Sequence, residues 1–370
     1  MIKRLIISIK IAFSAILIIY ACSSAVYHKG DAQLRKIQDS PQYKDGKFKN
    51  ANEWEQPSFG EYLSTGWDFL FGGDQRTPES LLPRKAVDLN PFTVSDTNQL
   101  NVTWLGHSSL MINIDGYRIM TDPVFEKSVS FFGPSRYNGD VPLDTTQLSE
   151  VDVVIISHNH YDHLNKSSIE VLSKKAEKFV VPLAVGAELE DAGVPNEKII
   201  ELDWWETLKI DEHLTIVATP AQHFSGRGLT DRDETLWASW VILGPNHKIY
   251  FSGDSGYFDG FKQIGNKYGP FDMTFLETGA YHEKWHHIHM FPEETVQAHI
   301  DLKGDILHPI HWATFNLSLH TWYDPMERLT KAADEFEVNA ATPIVGETTI
   351  YGKYIPKEKW WIDVLVQSSD

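Results

Sequence analysis

The sequence predicts a layered α/β domain with a metal site gathered at the ends of its strands. Three observations predict it. From residue 99 onward, short apolar β-branched runs alternate with stretches of helical character, the pattern of strands packed between helices. Four histidine and aspartate side chains fall within six residues directly after one such run. Three further His or Asp residues each follow another apolar run.

The chain begins with an export pattern. Lys3, Arg4 and Lys10 precede an uncharged apolar run over residues 11–21, a basic region followed by a short hydrophobic one. The run is too short for a comfortable membrane span. Ile19 and Ala21 stand just before Cys22, the single cysteine of the chain, and the segment resembles a bacterial lipoprotein signal peptide. That resemblance implies cleavage after Ala21, lipidation of Cys22 and a lipid-anchored protein of the bacterial cell envelope, at the outer membrane facing the periplasm. An uncleaved N-terminal anchor helix is the alternative. Residues 1–21 are thus set apart as a signal and residues 22–98 as an N-terminal extension. Within it, residues 23–50 read as a polar tether, and the aromatics Trp54, Phe59, Tyr62, Trp67, Phe69 and Phe71 read as packing on the domain, with lipid contact as the alternative.

The domain itself is expected over residues 99–355, with residues 356–370 as a tail. Residues 102–105 and 110–114 read as strands, and Asp115-Gly116 next to the second of them is a hairpin signal. Residues 151–156 (VDVVII) are a nearly continuous apolar run, as expected of a strand buried on both faces. Residues 167–179 read as a helix, and residues 214–218, 237–243, 248–251 and 306–310 as further strands. Pro292 at the start of residues 292–302, with Glu293 and Glu294 in the first turn, marks a helix N-terminus.

Composition narrows the function. A net charge of −18 over 370 residues argues against nucleic acid as a partner, because backbone binding needs a basic face. With one cysteine against sixteen histidines, an internal disulfide is impossible and a metal site must be built from imidazole and carboxylate.

The chemistry is concentrated in Ser157-His158-Asn159-His160-Tyr161-Asp162-His163. A loop at a strand end can converge side chains that a helix or strand would splay apart, and neutral imidazole with carboxylate suits Zn²⁺. His223, Asp254 and His311 follow the apolar runs at 214–218, 248–251 and 306–310. Singly each is weak; in this order and company they form a set.

This set resembles the signature of the metallo-β-lactamase superfamily. The motifs TWLGHSS (103–109), TDPVF (121–125), ISHNHYDHL (156–164), ELDWWE (201–206) and PIHWATF (309–315) are similar, more narrowly, to N-acylphosphatidylethanolamine-hydrolysing phospholipase D. The resemblance implies a four-layer αββα sandwich and two Zn²⁺ ions. His158, His160 and His223 would hold one ion, Asp162, His163 and His311 the other, and Asp254 would bridge them. It also implies attack by a zinc-bridged hydroxide, with Asp162, Asp254 and His289 in catalytic roles and Arg227 and His289 at the substrate. The expected reaction is a phospholipase D-type hydrolysis releasing N-acylethanolamine and phosphatidic acid, with a phospholipid or another small ester as partner and the membrane reached through the lipid anchor. A lactonase or other ester hydrolase on the same core is an alternative, and a non-catalytic binding lipoprotein another.

Overall fold

The computed structural model describes residues 31–367, except 53, 55–58, 74, 131–132 and 229. Cys22 and the expected signal lie outside the described residues. Sixteen strands are described: β1 (Tyr43–Lys44), β2 (Lys47–Phe48), β3 (Leu100–Trp104), β4 (Leu110–Ile114), β5 (Tyr117–Thr121), β6 (Val151–Ile155), β7 (Ala176–Pro182), β8 (Ile199–Leu202), β9 (Thr207–Lys209), β10 (Thr215–Thr219), β11 (Ser239–Leu243), β12 (Lys248–Phe251), β13 (Phe271–Glu277), β14 (Gly304–Ile310), β15 (Asn339–Ala340) and β16 (Thr348–Ile350). Apart from the β1–β2 hairpin they form two seven-stranded sheets. One runs β16-β3-β4-β5-β6-β7-β8 and the other β15-β14-β13-β12-β11-β10-β9.

The pleat explains how both faces of each sheet are covered. Along β6 and the residue after it, Val153 and Ile155 join the core shared by the two sheets, while Val154 and Ile156 join a second core. That second core packs Ile169 and Leu172 of the helix Lys166–Leu172, and Leu189 of the helix Gly186–Asp191, against the sheet's outer face. The other sheet is backed by the helices Gly260–Tyr268, Pro292–Leu302 and Asp324–Glu335. The result is the αββα sandwich. Asp115 and Gly116 both have positive φ, 55° and 92°, as a tight turn between twisted antiparallel strands requires, and they set the β4–β5 register.

Three expectations are corrected. The helix anticipated over residues 167–179 ends at Leu172, and residues 176–182 form β7. Phe179 and Val181 point into the helix-side core and Val180 into the inter-sheet core, so a two-residue period, enforced by parallel pairing with β6, overrides the helical reading. Residues 31–50 are more than a tether: Ile37 and Phe48 are buried in the larger hydrophobic core, and the Lys36 Nζ donates to the Glu201 carbonyl at 2.7 Å. At the other end, the helix Trp360–Gln367 buries Trp360 and Trp361 against Trp312, so residues 360 and 361 belong to the same core.

Candidate metal centre

All seven expected ligands emerge from the same end of the sandwich. The loop 158–163 leaves the C-terminal end of β6, and His223, Asp254 and His311 follow the C-terminal ends of β10, β12 and β14. Strand ends that stop at one level leave short loops free to point side chains at a common centre, the usual place for a site in layered α/β folds. Gly253 lets two of these loops meet. Its φ is +56°, and a Cβ there would lie 2.4 Å from the Ser157 Cβ, so Asp254 could not come this close behind any other residue.

The donor atoms fall into two groups. In the first, His158 Nε2 lies 2.8 Å from His160 Nδ1, which lies 3.3 Å from His223 Nε2. In the second, Asp162 Oδ2 lies 3.4 Å from His163 Nε2 and 3.5 Å from His311 Nε2. Asp254 Oδ2 stands between the groups: 3.1 Å from both His163 Nε2 and His311 Nε2, and 3.9 Å and 3.7 Å from His158 Nε2 and His223 Nε2. His163 Nε2, His311 Nε2 and Asp254 Oδ1 are buried without a hydrogen bond. Buried polar atoms are normally paired, and imidazole nitrogens facing one another around carboxylate oxygens are the donor set of a divalent metal. The residues therefore fit one or two such ions.

A second layer fixes these donors, and most of it was not assigned from the sequence. Asp122, with no exposed surface, accepts from the Ser157 backbone N–H and hydroxyl at 2.7 and 2.6 Å, and lies 2.7 Å from His163 Nδ1. That contact leaves His163 Nε2 to face the centre. His223 is set the same way, its Nδ1 3.0 Å from the Ile288 carbonyl. His107, at a φ of 55°, places Nε2 2.8 Å from Asp162 Oδ2, making a group of four with Asp162, His163 and His311. The fully buried Glu277 accepts from the Met290 N–H at 2.8 Å, and its Oε1 lies 3.4 Å from His289 Nδ1. We expect Asp122→Asn to weaken metal affinity about 10–100-fold, the usual effect of losing an outer-shell partner of a ligand histidine. Competition with a chromophoric chelator measures it, and unchanged affinity would refute the role.

Electrostatics agree with the grouping. Burial lowers His158 and His223 well below the ordinary histidine range and His160 to about 4, so the first group is neutral and ready to donate. Burial also works against charge on His163 and His311, but Asp254 and Asp162 overcome it, raising His163 well above its usual range and His311 to about 10. Those histidines in turn hold Asp162 and Asp254 ionised despite their burial.

The structure brings His289 to the centre, its ring 5.1 Å from His223 and 5.4 Å from His311. Arg227 is placed differently. Its Nη1 donates to the Asn159 and Leu164 carbonyls at 2.6 and 2.9 Å, and the guanidinium lies over Tyr161, so it braces the ligand loop. Arg232 lies 4.2 Å over the Phe224 ring, which itself packs on His160 and His223, and its Nε is 3.5 Å from Asp233 Oδ2. Arg232 and His289 line a cavity of about 530 Å³ walled by Trp54, Phe69, Phe224 and Trp285. His287 also lines it, against Trp54, and His282 stacks on Trp285.

Comparison with known proteins places this geometry. Residues 117–312 match the family described as the beta-lactamase superfamily domain. An uncharacterized protein of Mycobacterium tuberculosis is 41% identical over 340 residues, covering 89% of this chain and 90% of that one. The N-acyl-phosphatidylethanolamine-hydrolyzing phospholipase D 1 of Caenorhabditis elegans is 33% identical over 281 residues, 71% of this chain and 78% of that one. A solved metallo hydrolase from the archaeon Ignicoccus hospitalis superposes with a TM-score of 0.54 at 23% identity, covering 70% of this chain and all of that one, which shows the shared fold.

Proposed function

We propose that this chain, which belongs to the metallo-β-lactamase superfamily and is a metal-dependent hydrolase, acts as a phospholipase D-type phosphodiesterase on N-acylphosphatidylethanolamine or a related glycerophospholipid. The observation that carries metal-dependent hydrolysis is the divided donor set with Asp254 Oδ2 between its halves, which suits two zinc ions; the phosphodiester class rests on the phospholipase D relative. His158, His160 and His223 would hold one, Asp162, His163 and His311 the other, with Asp254 shared. Such a pair supplies Lewis acidity and a water of lowered pKa.

The remaining work falls to the chain. Arg232 offers a guanidinium in the cavity lining that suits a phosphodiester oxygen. His289, with its Nδ1 3.4 Å from Glu277 Oε1, lines the cavity and would meet a substrate oxygen there. The aromatic wall of the cavity offers apolar surface to an acyl chain, and the C. elegans relative bears the name of this activity. Among the described residues no helix is long and apolar enough to cross a membrane. Membrane contact is proposed instead through lipidated Cys22 at the outer membrane and through the helix Phe59–Phe71. That helix turns Glu61, Thr65 and Phe69 to the cavity and leaves Leu63, Trp67 and Phe71 more than 60% exposed.

The test is hydrolysis by zinc-loaded full-length protein of N-acylphosphatidylethanolamine, a simple glycerophosphodiester and a lactone panel, in ¹⁸O-labelled water. N-acylethanolamine and labelled phosphatidic acid are expected. Lactone opening with phosphodiesters untouched would replace this reading with that of a lactonase.

A further inference from the structure

We infer that Asn50, in the extension ahead of the hydrolase domain, is a positioning residue of the metal centre, acting through His223. The inference rests on His223 being a metal ligand.

His223 lies four residues past the end of β10, beyond the reach of the sheet's ladder, and has no exposed surface. Its backbone N–H and C=O must nevertheless be satisfied. One side chain satisfies both. Asn50 Nδ2 donates to the His223 carbonyl at 2.7 Å, and the His223 N–H donates to Asn50 Oδ1 at 3.0 Å. A primary amide carries the same donor and acceptor as a peptide unit, so Asn50 stands in for a neighbouring strand at one residue. The Trp237 indole N–H also donates to Asn50 Oδ1 at 3.0 Å, fixing which end of the amide faces which backbone group.

The surrounding contacts hold Asn50 to this task. The β1–β2 hairpin is fastened by Phe48 in the core and by the Phe48 N–H on the Asp233 carbonyl at 2.8 Å. The Gln222 side chain donates to the Asn52 carbonyl at 2.8 Å. Gln222 also ties this strap to the Asp254 loop, receiving the Gly256 N–H on its carbonyl and giving its own N–H to the Ser255 hydroxyl, both at 2.9 Å. The strap fixes the backbone of His223 while the Ile288 carbonyl fixes its ring. Nε2 is thereby aimed at His158 and His160 from two independent sides.

The experiment compares full-length wild type, Asn50→Ala and Asn50→Asp by zinc titration against a chromophoric chelator and by the absorption bands of cobalt-loaded protein. Asn50→Ala removes all three contacts, and the metal held by His158, His160 and His223 should bind roughly 10–100-fold more weakly, with the second metal changed little. Asn50→Asp keeps the two accepted bonds but sets a carboxylate oxygen against the His223 carbonyl where the amide donated at 2.7 Å, so it too should weaken that metal and shift the cobalt bands. Equal affinities and spectra for wild type and Asn50→Asp overturn the inference even if Asn50→Ala fails to fold. So does equal weakening of both metals in either variant, which is what a merely structural role would give. If wild-type protein binds no metal, the metal-centre reading falls first and the inference with it.

Discussion

Asp254→Ala is expected to lower kcat/KM by more than about 10²-fold, beyond the range typical of an outer-shell partner, because a shared ligand is removed outright. Asp254 is the carboxylate within 4 Å of ring nitrogens from both halves of the centre. Without it, His158 and His223 lose the carboxylate that faces them, and Asp162 remains beside His163 and His311 in the other half. Metal content should fall by at least one ion per chain while circular dichroism stays unchanged, since neither core includes Asp254. Asp254→Asn keeps the shape and removes the charge, and it should lose metal nearly as severely. Full metal occupancy and activity in either variant would exclude the shared role.

The second large effect is metal-linked stability, and it carries a sign in pH. His163 and His311 are raised above their usual range in the metal-free protein, His311 to about 10. Their pairing with the carboxylates therefore favours folding fully below a pH of about 6.5, the unfolded value, and fades as pH rises through about 10. A metal must displace those protons. Zinc binding at neutral pH should release protons, and zinc affinity should increase as pH rises. At free zinc a thousandfold above its dissociation constant, each site contributes about 4 kcal/mol, which raises the melting temperature on the order of 10 °C. Calorimetry in two buffers of different ionisation enthalpy gives the protons released, and scanning with zinc or chelator gives the shift. Identical melting in zinc and in chelator would exclude a metal-linked fold.

The convergence of the seven candidate ligands was legible in the sequence because each follows an apolar run and four of them share one loop. Strand ends turn linear order into spatial convergence, so His223, Asp254 and His311 could be placed beside His158 without a structure. The second layer was not legible for the opposite reason. Asp122 stands in a quoted motif, yet its role depends on β5 lying beside β6. His107 meets Asp162 only through the positive φ of Gly106 and His107, and Glu277 reaches His289 across a turn. Asn50 sits in a polar stretch whose composition suggested a tether, and nothing in its spacing announces a partner 173 residues away. The helix anticipated at 167–179 failed because residues 176–182 take their conformation from β6, a neighbour that local propensity cannot see. Arg227 and Arg232 lie five residues apart, and only packing decides which of them braces the loop and which faces the cavity.

The pairing of β16 with β3, Thr348 against Thr103, joins positions separated by most of the domain. Contacts of such separation are slow to form, because the loop must close before any hydrogen bond rewards it. During synthesis β3 waits with an open backbone edge until residues 348–350 appear. An unpaired edge is a template for other chains, and β3 offers one until β16 arrives. A chain ending before residue 348 would keep that edge permanently. It should accumulate as insoluble material even though every residue of the metal centre is present.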